Sequence, residues 1–185
     1  HFDPPTTLEI IFGEPSAPFD SERVRAVEAL FTDTGIHFRS TEYIQEEIWC
    51  KFRLNVYNNL PQAILGTSVG CYRDSVHMKA ISDGLKRELE MVAKAKGIDM
   101  SKTGSSSGRG SVVPPTDRYS TLQDLDAGRH TEIDMFSGAL IRMGKELGIP
   151  TPYNEYTYHM IKALEEKNDG LFDYDKANRR STWAI

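Results

Sequence analysis

The chain has 185 residues, 39% of them hydrophobic, and its 27 acidic and 22 basic residues give a formal net charge of −5. This composition indicates one globular core with a smaller appendage, and it disfavours nucleic acid, whose binding requires clustered lysine and arginine. No apolar run approaches the roughly 20 residues that span a bilayer, and residues 1–7 lack the basic start and apolar stretch of a signal peptide. Cys50 and Cys71 form neither a metal spacing nor a disulfide framework, so we expect a cytoplasmic protein with reduced thiols.

Residues 1–42 predict a strand, a helix and a second strand. Thr7–Gly13 is a strand that ends in a turn, and Ser21–Thr34 has the apolar spacing of an amphipathic helix that Gly35 would end. Ile36–Phe38 predicts the second strand. A unit this small cannot bury both faces of its sheet, so we expect further strands upstream, in a longer protein shortened by design or by proteolysis.

From residue 43 onward every periodic segment predicts a helix, which indicates an all-α domain over 43–185 behind an α/β fragment over 1–42. Gly148 and Pro152 mark a helix stop and the next start, with Thr151 as the N-cap. Residues 101–118, rich in serine, glycine and proline, predict a loop. The predicted helices are Tyr43–Leu65, Asp74–Lys96, Thr121–Asp126, Thr131–Leu147 and one from Pro152 to about Lys167.

Three polar residues recur every four positions in the first of these helices: Lys51, Asn55 and Asn59. Each step of four turns an α-helix by only about 40°, so they form one stripe roughly 12 Å long. Asparagine is unfavourable inside helices, and the rest of this helix is largely apolar, which favours a polar cleft. A solvated helix face is the alternative that the spacing leaves open.

Two further residues have a structural and a functional interpretation. Ser120 begins the pattern Ser-x-x-Gln of a capping box, which favours a structural N-cap, but a helix start can also bind a carboxylate. Glu132 falls in the first turn of a predicted helix, where the helix dipole alone favours an acidic residue, and Asp134 has the same explanation. The five histidines show no metal-binding pattern, and Gly104–Gly110 lacks the ending of a phosphate loop.

Three segments together resemble the ketopantoate reductase (2-dehydropantoate 2-reductase) family. W-C-K-F-R-L-N-V-Y-N-N, Trp49–Asn59, is similar to its motif of a tryptophan, a lysine and two asparagines. Y-S-T-L-Q-D-L-D-A-G-R-H-T-E-I-D, Tyr119–Asp134, resembles its second motif, and F-S-G-A followed by G-I-P-T-P-Y-N resembles the third. Residues 1–42 resemble the end of the family's Rossmann domain.

The resemblance implies an all-helical C-terminal domain of the 6-phosphogluconate-dehydrogenase-like type, preceded by a remnant of an NADP-binding Rossmann domain. It implies reduction of ketopantoate by NADPH in pantothenate biosynthesis. Lys51 would be the general acid, with Asn55, Asn59 and Ser120 around the substrate. Glu132 would anchor the lysine or the cofactor ribose. We expect partial burial to lower the pKa of Lys51 and a nearby Glu132 to raise it again.

The chain departs from the family pattern in ways that bear on substrate and cofactor. A substrate-binding asparagine commonly precedes a glycine after the first helix, and here that position is Val69, before Gly70. The motif around Ser120 commonly continues with methionine, where this chain has Thr121 and Leu122. The Gly-x-Gly-x-x-Gly turn is missing, so we expect this chain alone to be inactive and to bind no NADP.

Two other functions remain open on the sequence. A related two-domain dehydrogenase could act on another 2-oxo acid, or the helices could form an interaction module without catalysis, in which the polar stripe is wet surface. Expected partners are a small 2-oxo acid, the missing Rossmann domain and a second copy of the chain through exposed strand edges.

Overall fold

The computed structural model describes residues 10–16, 18–103 and 113–173. They fall into two compact units, the first made of the described residues in 1–51 and 97–109 and the second of those in 52–96 and 110–185. The predicted strand residues before Ile10 and the loop Gly104–Gly110 lie outside the described residues. The assignment of 1–42 and 43–185 to two domains of a longer protein stays a prediction.

The first unit contains the predicted strand, helix and strand. They are β1 (Ile10–Phe12), α1 (Glu22–Phe31) and β2 (Phe38–Ser40), and the two strands are parallel, with Ile10 opposite Phe38. Phe12, Phe31 and Phe38 pack with ring centroids 5.6–6.2 Å apart, so α1 covers one face of the pair. The strand–helix–strand order is as predicted, but the second strand begins at Phe38, where the predicted strand Ile36–Phe38 ends.

The end of α1 differs from the prediction that Gly35 caps it. The helix stops at Phe31, and the Thr32 hydroxyl donates to the Glu28 carbonyl while the Thr34 hydroxyl donates to the Phe31 carbonyl. The backbone N–H groups of Thr32 and Thr34 donate to the same two carbonyls, so these contacts close the end of the helix before the glycine. Gly35, with φ of 76°, instead belongs to the turn that leads into β2.

The long helix predicted over Tyr43–Leu65 is present but irregular. It consists of α2 (Ile44–Leu54), a π turn (Asn55–Asn59) and α3 (Leu60–Leu65). Ile48 of α2 is 60% exposed, so the helix that the sequence predicts as largely apolar is not mostly buried along α2. Val56 and Leu60 are fully buried, whereas Ile44 and Cys50 are the buried residues of α2.

The second unit is helical throughout its described part, as predicted. After α3 come α4 (Cys71–Asp74), α5 (Val76–Ala95), α6 (Ser120–Asp126), α7 (Ser137–Leu147) and α8 (Pro152–Asn168). A short 3-10 turn, Met100–Lys102, lies in the first unit. The core where α3, α5, α7 and α8 pack contains large, fully buried side chains: Leu60, Leu85, Leu89, Leu140 and Ile161. Leu122 of α6 packs in a cluster with Ala63 and Leu125.

Two predicted helix starts are wrong, because side chains there hold the backbone in other conformations. Ser75 is extended and its hydroxyl accepts from the Met78 N–H, so α5 begins at Val76 rather than at Asp74. The helix predicted from Thr131 begins only at Ser137, after a series of turns. The stop at Gly148, with φ of 69°, and the start at Pro152 are as predicted, although the Thr151 side chain makes no capping hydrogen bond. None of the helices within the described ranges has both the length and the apolar character that crossing a bilayer requires.

Candidate functional site

Pro61 interrupts the backbone hydrogen bonds around the π turn that carries both asparagines. Proline has no N–H, so the Tyr57 carbonyl cannot receive the usual bond from four residues on. The Ser82 hydroxyl of α5 donates to that carbonyl at 2.9 Å instead. One residue further, Tyr72 of α4 places its hydroxyl between the Asn58 carbonyl and the Gln62 N–H. Side chains from two other helices thus stabilise a turn of a type frequent at functional sites.

Asn59 and Ser120 meet although 61 positions separate them. The Asn59 amide Nδ2 donates to the Ser120 hydroxyl at 3.3 Å, and Asn59 is only 8% exposed. Ser120 itself is exposed at the first position of α6. Two residues that the family resemblance assigns to the substrate therefore lie side by side in the second unit.

The predicted capping box at Ser120 is wrong. Tyr119 occupies the N-cap position, and its N–H donates to Gln62 Oε1 at 3.2 Å. The side chain of Gln123 donates to the Arg118 carbonyl, so it does not reach back to Ser120. Gln62 of α3, which is fully buried, binds the N-cap residue of α6 in place of Ser120. The Ser120 hydroxyl is therefore available to accept from Asn59.

Asn55 begins the π turn and is half-buried, and Lys51 is exposed one helical turn earlier. The stripe of Lys51, Asn55 and Asn59 is not regular, since the hydrogen bonds of a π turn close over five residues and widen it. The partial burial expected for Lys51 is not found in this chain, because its side chain is exposed. Lys51 belongs to the first unit and the other four predicted site residues to the second, so their convergence stays a prediction.

Glu132 lies in the turns between α6 and α7, with its side chain exposed. The helix-dipole explanation for Glu132 and Asp134 does not hold, because α7 begins only at Ser137. Contacts with α8 hold the segment on both sides of Glu132. Thr131 is bound by Glu165, and Asp134 accepts from the Tyr158 hydroxyl at 2.7 Å. This hydrogen bond is the main reason that the pKa of Asp134 lies below its ordinary value.

Val69 occupies the position where the family commonly has a substrate-binding asparagine, and its backbone is held by a hydrogen bond. Its N–H donates to the Asp117 carbonyl at 2.9 Å, and the Gly70 N–H donates to the Pro115 carbonyl at 2.8 Å. The loop after α3 is therefore paired with the segment before α6. Valine contributes no polar side-chain group there.

The described residues do not fit a metal or a dinucleotide. No group of histidine, cysteine, aspartate and glutamate within 10–16, 18–103 and 113–173 could hold a metal ion. β1 runs into Gly13-Glu14-Pro15-Ser16, and this turn has none of the closely spaced glycines that let a backbone approach a pyrophosphate. Of the predicted site residues, only Glu132 has an expected role toward the cofactor.

The sequence interpretation missed Gln62, Tyr72 and Glu165. Pro61 inside a predicted helix was a usable signal, because the carbonyl four residues earlier must find another partner. Nothing local distinguishes Tyr72 or Glu165, whose partners lie 10 and 34 positions away.

Comparison with protein families gives a match over residues 43–165 to the model described as "Ketopantoate reductase PanE/ApbA C terminal". A curated relative, the 2-dehydropantoate 2-reductase of Aquifex aeolicus (strain VF5), is 28% identical over 163 residues. The alignment covers 85% of this chain and 52% of that protein. This chain therefore spans about half the length of the curated relatives it matches.

Solved structures agree with this match. The PanE/ApbA family ketopantoate reductase from Ralstonia eutropha JMP134 superposes with a TM-score of 0.72 and 26% identity, over 80% of this chain and 50% of that chain. D-mandelate dehydrogenase with NADH and anilino(oxo)acetate shares the fold, with a TM-score of 0.69 and 22% identity over 81% of this chain and 64% of that chain. Since the family model covers most of the sequence and the helices follow the same fold, this chain belongs to the ketopantoate reductase PanE/ApbA C-terminal family.

Proposed function

We propose that this chain is the substrate-side part of an NADPH-dependent 2-dehydropantoate 2-reductase. Such an enzyme reduces ketopantoate to pantoate, a step of pantothenate biosynthesis in the cytoplasm. The observation that carries the proposal is the 3.3 Å contact between Asn59 and Ser120, in a chain that belongs to this family.

Lys51 is proposed as the general acid. Reduction of a 2-oxo acid transfers a hydride to the carbonyl carbon, and the carbonyl oxygen gains negative charge. A lysine ammonium within about 3 Å of that oxygen would stabilise the charge and then donate a proton. Family resemblance implies NADPH as the hydride donor. We expect NADPH to bind a Rossmann domain of the full-length protein, because this sequence contains no Gly-x-Gly-x-x-Gly turn.

The geometry around Ser120 supports a role in substrate binding. A hydroxyl has one proton to donate and two lone pairs to accept. Because Asn59 donates to the Ser120 oxygen, the hydroxyl proton is free to donate to a substrate oxygen. Asn55 would be a second neutral donor, and neutral donors bind a carboxylate without adding charge near Lys51. We propose that Glu132 orients the Lys51 ammonium or the cofactor ribose.

One observation favours a different 2-oxo acid as the substrate. Val69 cannot donate the hydrogen bond that the family's asparagine supplies at this position. Losing a hydrogen-bond donor to a substrate hydroxyl strongly changes which 2-oxo acid the site prefers. The reason is that a buried hydroxyl of the substrate is then left without its partner. A substrate without the hydroxyl group of ketopantoate is the second candidate.

The test uses the full-length protein with NADPH and a panel of 2-oxo acids that includes ketopantoate and analogues lacking its hydroxyl. The highest kcat/KM with ketopantoate supports the first proposal, and the highest with an analogue supports the second. The absence of NADPH oxidation with every 2-oxo acid would contradict both. The 185-residue chain alone should show no turnover, since an unpositioned nicotinamide loses the proximity contribution to catalysis.

A further inference from the structure

One hydrogen bond of the helix around Asn59 passes through a tyrosine hydroxyl. In a regular α-helix the Gln62 N–H would donate directly to the Asn58 carbonyl. Here it donates to the Tyr72 hydroxyl at 3.1 Å, and the hydroxyl in turn donates to the Asn58 carbonyl. An oxygen atom from α4 is therefore inserted between two groups that would otherwise meet. The inserted atom holds the backbone open immediately beside Asn59.

The hydroxyl of Tyr72 suits this position chemically. It must accept from an N–H and donate to a carbonyl at the same time, which a neutral hydroxyl can do and an ionised one cannot. Burial is the main reason that the pKa of Tyr72 is raised above its ordinary value, so the hydroxyl stays protonated at any physiological pH.

Gln62 extends the same network to Ser120. Its backbone N–H meets Tyr72, and its side chain, fully buried, accepts from the Tyr119 N–H at 3.2 Å through Oε1. Its Nε2 donates to the Asn58 carbonyl at 3.4 Å. Asn58, which precedes Asn59, and Tyr119, which precedes Ser120, are thus both hydrogen-bonded to Gln62.

We infer that Tyr72 and Gln62 are positioning residues that hold Asn59 against Ser120. This rests on the proposed function insofar as the Asn59–Ser120 pair is taken to contact the substrate. Without the Tyr72 hydroxyl, the Gln62 N–H can return to the Asn58 carbonyl and the π turn tightens toward α-helical geometry. Asn59 then rotates relative to α6, and a shift of about 1 Å in a positioned group can cost up to roughly a hundredfold in rate.

The first test compares Tyr72→Phe with Tyr156→Phe in the full-length protein. Both substitutions remove one phenolic hydroxyl, but Tyr156 lies on α8 and is 67% exposed. We expect Tyr72→Phe to raise the KM for the 2-oxo acid about tenfold or more while the KM for NADPH stays within about twofold. Tyr156→Phe should change neither. Equal kinetics for the two variants would overturn the inference.

The second test needs no turnover. In a crystal structure of Tyr72→Phe, we expect the Asn59 Nδ2 to Ser120 Oγ contact to lengthen beyond hydrogen-bonding distance and the π turn to be lost. An unchanged contact and an unchanged π turn would overturn the inference. If the wild-type protein reduces no 2-oxo acid, the proposed function fails, but this structure still decides whether Tyr72 positions Asn59.

A variant of the other residue covers the case in which Tyr72→Phe does not fold. Gln62→Leu keeps a side chain of similar size in the core and removes the acceptor for the Tyr119 N–H. The same rise in KM and the same lengthened contact are expected. Wild-type values in both measurements would remove Gln62 from the proposal.

Discussion

Glu165 of α8 holds Thr131, the residue before Glu132, through two hydrogen bonds. Its Oε1 accepts from the Thr131 N–H and from the Thr131 hydroxyl, both at 2.7 Å. Lys162 Nζ lies 2.8 Å from the other carboxylate oxygen, and Glu165 is only 2% exposed. A carboxylate buried in α8 therefore determines where the segment that carries Glu132 lies.

Replacing this carboxylate should destabilise the fold in a pH-dependent way. We expect Glu165→Gln to lower the free energy of unfolding by about 2 kcal/mol at pH 7, because the donors from Thr131 then meet a neutral amide and the ion pair with Lys162 is lost. The adjacent, exposed Glu166→Gln is the matched control and should change it by less than about 0.5 kcal/mol. Urea unfolding of the two variants and the wild type measures both effects.

The pH dependence follows from the direction of the pKa shift. Burial opposes ionisation of Glu165, but the Lys162 ammonium and the bonds from Thr131 outweigh it and lower the pKa from its ordinary value of 4.5. The native pKa is below the unfolded one, so the stabilisation is complete above about pH 4.5 and is lost as the pH falls through the native value. The difference between wild type and Glu165→Gln should narrow below pH 4.5. A difference in unfolding free energy that does not change with pH would contradict the assignment of a negative charge to Glu165.

A second buried carboxylate, Glu88 of α5, should stabilise the start of α8. It accepts from the Tyr153 N–H at 2.8 Å and from the Asn154 N–H at 3.0 Å, groups that a helix start leaves unpaired. Glu88→Gln turns an amide N–H toward these donors and should cost about 2 kcal/mol of unfolding free energy. Glu155→Gln, exposed in the first turn of α8, removes the same charge without these contacts. Similar thermal unfolding of the two variants would disprove the capping role.

Lys51→Ala in the full-length protein tests the proposed role of Lys51 as the general acid. Proton donation in the transition state contributes about 10² to 10⁴ in rate, so kcat should fall by that factor while the KM for NADPH changes little. Lys145→Ala removes an exposed lysine of α7 and should leave kcat unchanged. A Lys51→Ala variant with half the wild-type kcat would mean that another group protonates the alkoxide.

The two-stranded sheet should promote self-association of this chain. In the described residues β1 pairs only with β2, and an unpaired strand edge tends to recruit another strand. Sedimentation at rising concentration should show a dimer, and Ile11→Lys, which places a charge on the strand, should weaken it. A strict monomer with slow hydrogen exchange at Ile10–Phe12 would show that the strand pair is self-sufficient.

The sequence by itself determined the class of fold and the family. Amphipathic spacing locates the helices of the second unit, because a face that packs into a core repeats with the helical period. Gly148 and Pro152 were readable as a stop and a start, because their conformational preferences are local. The three motifs, read in order, predicted the family that the comparison confirms.

Only the tertiary structure decided the details of the candidate site. At the π turn the Gln62 N–H donates to the Tyr72 hydroxyl, and before α7 the Thr131 N–H donates to the Glu165 carboxylate. The partner of Ser120 is Asn59 rather than its own helix, because Gln62 takes the N–H of Tyr119. Each of these outcomes is a competition between a local hydrogen bond and one from a distant part of the chain. Periodicity and capping rules describe only the local hydrogen bond. The hydrogen bond from a distant residue forms only when the helices pack, so these rules do not predict it.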